Sequence, residues 1–138
     1  MNCYYVFLDD VRVPKEVYEY KQNPLYVKQE WTIVRNYKDF VRTVSERYAA
    51  GFMPCVISLD HDLTLEHQVK GLLSGFEKFN ENAVYEPTGW HCLNWFLMFL
   101  RANDLKTPLI LIHSKNKGGA ENMMALIDEH YKKINGGE

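Results

Sequence analysis

Three apolar runs of this chain each end in polar side chains that can do chemistry. Leu8 is followed by Asp9 and Asp10, Leu59 by Asp60, His61 and Asp62, and Ile112 by His113 and Ser114. If these runs are parallel strands of one sheet, their carboxyl ends lie side by side, and that edge of an open α/β sheet is where ligands bind. The pattern therefore predicts that these acids and histidines share one cleft.

Strand-like and helical patterns alternate along the chain. Short apolar runs typical of buried strands cover 4–8, 31–34, 55–59 and 109–112. Helical spacing of apolar residues covers 37–48, 89–103 and 123–134, and Asn36 and Gly51 are the predicted cap and stop of the first of these helices. The alternation predicts a three-layer α/β fold, an open and mostly parallel sheet of four to five strands with helices on both faces.

Two segments depart from this template. Residues 11–30 contain Pro14 and Pro24, which leave room for only a short helix. Residues 63–87 are longer than an ordinary connection and contain glycines and a proline, which is typical of an insertion or of a lid over an active site. The stretch from 93 to 100 is apolar on nearly all sides, so it must be buried or meet a partner, which leaves a homodimer open.

Size and charge restrict the class of protein. A chain of 138 residues that is 46% hydrophobic can bury one sizeable core, so residues 1–138 are predicted to form one domain. The formal net charge of -2 gives no broad attraction for a nucleic-acid backbone. A small phosphorylated ligand or an RNA end stays open as the predicted partner, without bulk binding of nucleic acid, because a local cationic pocket does not need a basic protein.

Cysteine usage and hydropathy predict a cytoplasmic protein. Cys3, Cys55 and Cys92 are odd in number and widely spaced, which favours free thiols in a reducing compartment over a disulfide framework or a zinc site. No apolar stretch reaches bilayer length, and the N-terminus does not resemble a signal segment. We therefore expect no association with a membrane.

The acids at the predicted sheet edge indicate a cation. A single Asp after a strand is commonly a turn former or a helix cap. Several carboxylates at one edge repel each other, however, unless a cation or a shared proton offsets the repulsion. Hard divalent ions prefer carboxylate oxygens together with water and phosphate. The sequence therefore predicts a site for Mg²⁺ or Mn²⁺, with the predicted ligands Asp9, Asp10, Asp60 and Asp62.

His61 and the segment after His113 complete the predicted site. His61 lies between two acids that raise its basicity, so it is either a general acid or base or an outward-facing histidine that only forms hydrogen bonds. The segment 115–120 opens the last helix with glycine amides and two lysines, which suits an anion, although a solvated glycine turn is the alternative. The predicted phosphate ligands are Ser114, Lys115, Lys117, Gly118 and Gly119. The remaining histidines, His67, His91 and His130, are predicted to be surface or helix-packing residues.

These motifs resemble a known family, the cyclic-phosphate-processing receiver-like domains. The resemblance is carried by Leu8-Asp9-Asp10-Val11-Arg12 with Pro14, Ile57-Ser58-Leu59-Asp60-His61-Asp62-Leu63, Thr88-Gly89, and Ile112-His113-Ser114 with Asn116, Gly119, Ala120 and Asn122. It implies a flavodoxin-like variant of the response-regulator receiver fold. It also implies a role in handling cyclic phosphates, in RNA repair and in conflict between phage and bacteria.

The resemblance also implies roles for single residues. Asp9 and Asp10 resemble the acidic pair that holds Mg²⁺ in receivers, Asp60 resembles the aspartate that accepts a phosphoryl group, and Ser114 resembles the hydroxyl residue after the fourth strand. The sequence departs from the receiver pattern because no fifth strand ends in a lysine, so that Lys115 or Lys117 would have to supply that charge. His61, Asp62 and His113 are additions to the receiver set, and they favour hydrolysis over signalling.

The sequence thus yields a leading hypothesis and two alternatives. The leading hypothesis is a metal-dependent phosphoesterase that opens a cyclic phosphate of a nucleotide, an ADP-ribose derivative or an RNA end. Its catalytic residues are Asp60, His61 and His113, with the two histidines as acid and base. A direct attack by Asp60 stays open. The alternatives are a non-catalytic receiver-like phospho-acceptor or cyclic-nucleotide-binding module, and a structural domain with a vestigial site.

Overall fold

The fold is an open parallel sheet between two layers of helices. The computed structural model describes residues 2–73 and 78–136. The described residues form four strands, β1 (Asn2–Leu8), β2 (Trp31–Val34), β3 (Phe52–Leu59) and β4 (Leu109–Ile112). All pairs of neighbouring strands are parallel, and the order is β2-β1-β3-β4. The predicted parallel sheet is therefore confirmed, with four strands.

The helices lie on both faces of this sheet, as predicted. They are α1 (Pro14–Lys21), α2 (Leu25–Lys28), α3 (Tyr37–Ala49), α4 (Leu65–Leu73), α5 (Gly89–Ala102) and α6 (Lys117–Asn135), together with a short 3₁₀ helix (Glu81–Ala83). From β1 the chain moves outward to β2 and then passes back over β1 to β3. Because parallel crossovers are right-handed, this reversal places α1 and α2 on one face and α3 and α5 on the other.

Each face of the sheet has its own apolar core. The larger core packs the sheet against α3, α5 and α6, and includes Phe40, Phe96 and Met123. The smaller core lies under α1 and α2 and is built on Phe7, Val17 and Tyr26. The two cores therefore differ in size. On the side of the smaller core, short helices cover β1 and β4.

The apolar helix predicted at 89–103 is α5, and its middle is buried. Leu93, Phe96 and Leu100 are fully buried, and Met98 is the exposed exception within this stretch at 55%. Because α5 contacts α3 on one side and α6 on the other, apolar residues on more than one side of the helix are buried. Packing within the chain therefore satisfies a helix that, from sequence, had to be buried or meet a partner.

Two predicted elements change in the structure. β3 begins at Phe52 rather than Cys55, because Pro54 pairs with Tyr4 and a register shift after this pair leaves Cys55 as the extra residue of a bulge. The segment 11–30 contains two short helices rather than one. Pro14 opens α1 at its first position, where a missing N–H costs nothing.

The segment predicted as an insertion or lid at 63–87 contains α4 and the 3₁₀ helix, and its residues 74–77 lie outside the described residues. His67 ties the two ends of the segment together, since its Nδ1 accepts from the amide of Leu63 at 2.8 Å and its Nε2 donates to the carbonyl of Glu86 at 2.7 Å. His67 is fully buried. Of the two positions predicted for His67 and His130, at the surface or in helix packing, the structure therefore excludes the surface, since His130 is also almost fully buried.

All three cysteines lie within the described residues. The three cysteines are free thiols, with Cys3 exposed and Cys92 buried. Within residues 2–73 and 78–136, no helix is both long and apolar enough to pass through a membrane.

The contrast between two residues of α5 tests this packing. We expect Phe96→Ala to lower the free energy of unfolding by about 3–5 kcal/mol, because a fully buried aromatic ring leaves a cavity. Met98→Ala on the same helix should cost less than about 1 kcal/mol, because that side chain is largely solvated. Urea denaturation followed by circular dichroism measures both values. Equal losses would contradict the assignment of the buried face.

Candidate functional site

The carboxyl ends of β1, β3 and β4 form one polar edge of the sheet. Asp9 directly follows β1, Asp60 follows β3 and His113 follows β4. The ladder continues one step beyond the strands, since the amide of Asp60 donates to the carbonyl of Leu8 at 2.9 Å and the amide of His113 donates to that of Leu59 at 3.0 Å. These bonds hold the three side chains next to one another. The reversal of strand order between β1 and β3 opens a crevice at this edge.

Asp9 is the fully buried centre of this edge. Its Oδ1 accepts from the backbone amides of Val11 at 3.0 Å and Arg12 at 2.8 Å, and its Oδ2 accepts from Nε2 of His113 at 3.0 Å. Burial by itself would raise the pKa of Asp9, but the hydrogen bonds from His113 and the two amides outweigh it and hold the pKa below its usual range. Asp9 is therefore a carboxylate at neutral pH, although water does not reach it.

A chain of hydrogen bonds runs from Asp9 into the smaller core. His113 Nδ1 lies 2.7 Å from Oγ of Ser58, which lies 2.6 Å from the hydroxyl of Tyr26. A carboxylate only accepts, so the His113 Nε2 facing Asp9 carries a proton. Burial lowers the pKa of His113, so the ring is neutral and Nδ1 accepts from Ser58. Tyr26 then donates to Ser58, and every donor in the chain has an acceptor.

The ring of His113 is also fixed by packing. It stacks on Phe7 with centroids 4.6 Å apart and planes 3° from parallel. The hydroxyl of Tyr20 donates to the backbone carbonyl of His113 at 2.6 Å. Because both ring nitrogens are occupied and the residue is fully buried, His113 does not line the cleft that is described below.

Asp60 and Arg12 meet on the solvent side of Asp9. Asp60 Oδ1 accepts from the amide of His61 at 2.8 Å, which leaves Oδ2 facing Nη1 of Arg12 at 3.6 Å. The same Arg12 nitrogen lies 3.4 Å from Oδ2 of Asp9. Burial and the charge of Asp9 raise the pKa of Asp60 to about 8, against the opposing effect of Arg12. One guanidinium therefore does not fully offset the acids around it.

The donor set fits a hard divalent cation. Asp9, Asp60 and His113 each offer a ligand atom, and these atoms lie within 4.8 Å of one another. Asp10 adds a carboxylate that lines the cleft, and burial together with the charge of Asp9 raises its pKa. Carboxylates in excess over the available positive charge are the ligands that Mg²⁺ and Mn²⁺ prefer. Because His113 turns its Nε2 proton toward Asp9, Asp10 and Asp60 are the better candidates for holding such an ion.

His61 belongs to a second buried network rather than to the cleft surface. Its Nδ1 donates to Asp62 at 2.6 Å, and its Nε2 donates to the carboxylate of Glu81 at 2.8 Å. Since both ring nitrogens face carboxylates, the ring is an imidazolium. Burial would lower the pKa of His61, but the hydrogen bonds and charges of Asp62 and Glu81 raise it to about 9. Thr88 and Asn122 donate to the same Glu81 carboxylate at 2.8 and 2.7 Å.

The glycine-rich segment predicted as a phosphate loop packs against this network. Residues 117–119 form the first turn of α6, and the amide of Gly119 is used by the cap, donating to Oδ1 of Asn116 at 3.0 Å. A Cβ at position 119 would lie 2.3 Å from Cγ of His61, so only glycine lets the helix approach the ring this closely. The structure thus gives Gly119 a packing role, and Gly118 is buried beside it.

These elements border a cleft of about 370 Å³. Over residues 2–73 and 78–136, its acidic lining consists of Asp10, Asp60 and Asp62, and its basic lining consists of Arg12 and Lys115. The other described lining residues are uncharged: Val11, Gln68, Leu72, Ser114 and Asn116. Of the predicted phosphate ligands, Ser114 and Lys115 therefore line the cleft, whereas Lys117, Gly118 and Gly119 are absent from its wall. Asp62 lines it while its Oδ1 is held by His61 and by the Asn116 amide at 2.9 Å.

Sequence reasoning gave no site role to several residues that build this region. A sequence pattern could have identified three of them. Arg12 follows an acidic pair at a strand end, Ser58 is a polar residue inside an apolar run, and Asn116 lies at a helix cap. No pattern identifies Glu81 or Tyr26, because each reaches its partner from a distant part of the chain.

The hydrogen-bond chain from Tyr26 to Asp9 makes a prediction about stability. Ser58→Ala leaves the Tyr26 hydroxyl and His113 Nδ1 buried without partners, so we expect a loss of about 1–3 kcal/mol in the free energy of unfolding. Tyr26→Phe in the Ser58→Ala background should recover part of that loss, because it removes one of the two unpaired groups. Urea denaturation of the single and double variants measures the coupling. Strictly additive losses of unfolding free energy would contradict this chain of hydrogen bonds.

The imidazolium of His61 makes a prediction about pH. A pKa of about 9 in the folded state exceeds the value near 6.5 of an unfolded histidine, so this residue stabilises the fold fully below about pH 6.5. That contribution, about 3 kcal/mol, is lost as pH rises through 9. The difference in unfolding free energy between the wild type and His61→Gln should therefore shrink from pH 6 to pH 10. His130→Gln is the control, because the pKa of His130 is lowered and it loses no such stabilisation at high pH.

Comparison with known proteins places this chain in a family. No curated protein and no solved structure matches the chain. A family model does match it, over residues 4–129, and that family is described as the cyclic-phosphate processing receiver domain. The match includes every strand end that supplies the acidic edge, together with the β4 to α6 connection. The chain belongs to the cyclic-phosphate processing receiver domain family.

Proposed function

We propose that this protein is a metal-dependent phosphoesterase that opens a cyclic phosphate on a nucleotide, an ADP-ribose derivative or an RNA end. One observation carries the proposal. Buried carboxylates with too little positive charge lie in the same cleft as Arg12, Lys115 and Ser114, which suit the oxygens of a phosphate. A cation and a phosphate bound together would balance both sets of charges, and membership of the family points to a cyclic phosphate.

Asp10 and Asp60 would hold Mg²⁺ or Mn²⁺, with Asp9 behind them as a fixed negative charge. The ion would supply Lewis-acid polarisation of the phosphoryl group. Arg12 would bind a non-bridging phosphate oxygen, since its guanidinium already lies beside Asp60. Lys115, whose Nζ lies 4.5 Å from the centroid of the Tyr20 ring, and Ser114 would bind other oxygens of the phosphate.

Asp60 Oδ2 is the group that would act on the reaction centre. This oxygen is not used by the backbone amide of His61 and lies 3.6 Å from Nη1 of Arg12, and a cation bound beside it would favour its ionised form. In one route it takes a proton from an attacking water as the new P–O bond forms, and it gives that proton to the ribose oxygen as the ribose P–O bond breaks. In the other it attacks phosphorus itself, the ribose P–O bond breaks while the ribose oxygen takes a proton from solvent, and water then cleaves the aspartyl phosphate and regenerates Asp60. Trapping of a labelled phospho-aspartate distinguishes the second route from the first.

The two predicted acid–base histidines receive a different role in this proposal. His61 and His113 are fully buried, their ring nitrogens are occupied, and neither lines the cleft. We therefore assign them to positioning. His113 orients Asp9, and His61 orients Asp62 while its backbone amide holds Asp60. Their replacement should lower activity through displaced carboxylates rather than through a missing proton carrier.

Hydrolysis of cyclic phosphates by the purified protein tests this function. With Mn²⁺ or Mg²⁺, we expect turnover of a 2′,3′-cyclic nucleotide or of ADP-ribose cyclic phosphate, measured by chromatography of the product. Asp60→Asn should reduce kcat/KM by at least about 100-fold, as loss of a general base or nucleophile does. Arg12→Gln should weaken phosphate binding and therefore raise KM.

Asp128→Asn is the matched control, because it makes the same chemical change at an exposed position of α6. It should retain wild-type activity. Circular dichroism and urea denaturation establish that each variant is folded. Tight binding of the cyclic phosphate without product would contradict the enzyme and indicate a binding module instead.

A further inference from the structure

We infer that the α4 wall of the cleft is a subsite for the nucleobase, so that the substrate is recognised as a single nucleoside cyclic phosphate. The inference deepens the proposed function and rests on it. Within the described parts of the chain, the charged cleft residues come from the connections that follow β1 and β3 and from the one between β4 and α6. The α4 helix contributes Gln68 and Leu72, which carry no charge. One cleft therefore combines an ionic wall with a wall that suits an uncharged, largely apolar group.

The apolar part of this wall is exposed rather than packed. Leu72 is 69% exposed, and Val11, which lines the same cleft from the connection after β1, is also 69% exposed. Aliphatic side chains in a cleft gain free energy when a flat ring covers them, because that contact removes apolar surface from water. A bare phosphate gives no such gain. These two residues therefore favour a ligand with a ring attached to its phosphate.

Gln68 gives the wall a means of recognising the ring. Positions 68 and 72 are four residues apart on α4, so both side chains lie on one face of that helix. A carboxamide offers both a donor and an acceptor, which matches the edge of a nucleobase. An acyl chain or a simple alkyl group would offer that amide no hydrogen-bonding partner. The combination of Gln68 with Leu72 and Val11 is therefore better suited to a nucleobase than to a lipid.

The size and charge of the cleft restrict the ligand to one nucleotide. A volume of about 370 Å³ lies near the lower end of the range of about 300–1,000 Å³ for ligand clefts. Among the residues that the structure describes, two cationic residues line it beside three acidic ones. Each further phosphate of an RNA strand would need further positive charge, and the chain as a whole carries -2. The same nucleoside could come from a free nucleotide or from the last residue of an RNA end.

A comparison of three substrates tests the subsite. They are a nucleoside 2′,3′-cyclic phosphate, glycerol 1,2-cyclic phosphate as the analogue without a base, and a short oligoribonucleotide with a 2′,3′-cyclic phosphate end. With Mn²⁺ present, the wild type should show kcat/KM at least about tenfold higher for the nucleoside than for the glycerol compound. The oligoribonucleotide should give no more than the free nucleoside, because recognition ends with one nucleotide.

Variants of the wall should remove that preference. Leu72→Ser and Gln68→Ala should each reduce the ratio of the two kcat/KM values by about five- to tenfold, through KM for the nucleoside compound. Leu65→Ser is the matched control. Leu65 lies on the same helix and is 73% exposed, but it does not line the cleft. An unchanged ratio in both wall variants would overturn the inference, as would a preference of more than tenfold for the oligoribonucleotide.

Equilibrium binding separates this inference from the proposed function. If no substrate is turned over, the phosphoesterase proposal fails, and calorimetric titration with a nucleoside 3′-monophosphate and with glycerol phosphate still decides the subsite. Binding of the nucleotide that is at least about tenfold tighter, and weakened by Leu72→Ser but not by Leu65→Ser, would support it. Equal binding of both ligands would overturn it.

Discussion

The carboxylate of Asp9 is the interaction on which the rest of the site depends. It accepts the amides of the connection after β1 through Oδ1 and the imidazole of His113 through Oδ2, so it joins two parts of the chain that are 104 residues apart. An ionised carboxylate without water needs such partners, because each lost hydrogen bond would leave charge uncompensated. The strand ends of β1 and β4 are thereby fixed relative to each other, and Arg12 is held where it meets Asp60.

The two buried networks support the cleft from opposite sides. One network is the chain of hydrogen bonds from Asp9 through His113 and Ser58 to Tyr26. Asp9 is its only charged member, and the network lies under the short helices. The network of His61 contains an imidazolium between two carboxylates and ties α6 to the segment before α5. The amide of His61 connects them through Asp60 Oδ1. Asp60 is therefore held at one oxygen, while its other oxygen faces the cleft.

The sequence allowed the prediction of the strand ends but not of the residues behind them. A polar cluster after an apolar run lies at the carboxyl edge of a parallel sheet whatever the details, so the proximity of Asp9, Asp60 and His113 followed from topology alone. The partners of His61 and His113 depend on contacts between distant segments, and Glu81 and Tyr26 lie in stretches without a pattern. The same limit applies to Gly119, since a glycine at a helix start serves an anion or a close neighbour equally well. Only the position of the His61 ring distinguishes the two.

The balance of charge links the fold to the proposed chemistry. Asp9 is stabilised as a carboxylate by hydrogen bonds, whereas the pKa of Asp60 is raised to about 8 because burial and Asp9 oppose its charge more strongly than Arg12 supports it. A domain selected only for stability would gain from an apolar residue at such a position, since an incompletely paired buried carboxylate is destabilising. A ligand that brings a divalent cation and a phosphate would complete the pairing, with the cation against Asp10 and Asp60 and the phosphate against Arg12 and Lys115. In the proposed complex, relief of the electrostatic repulsion among these carboxylates would therefore supply binding free energy.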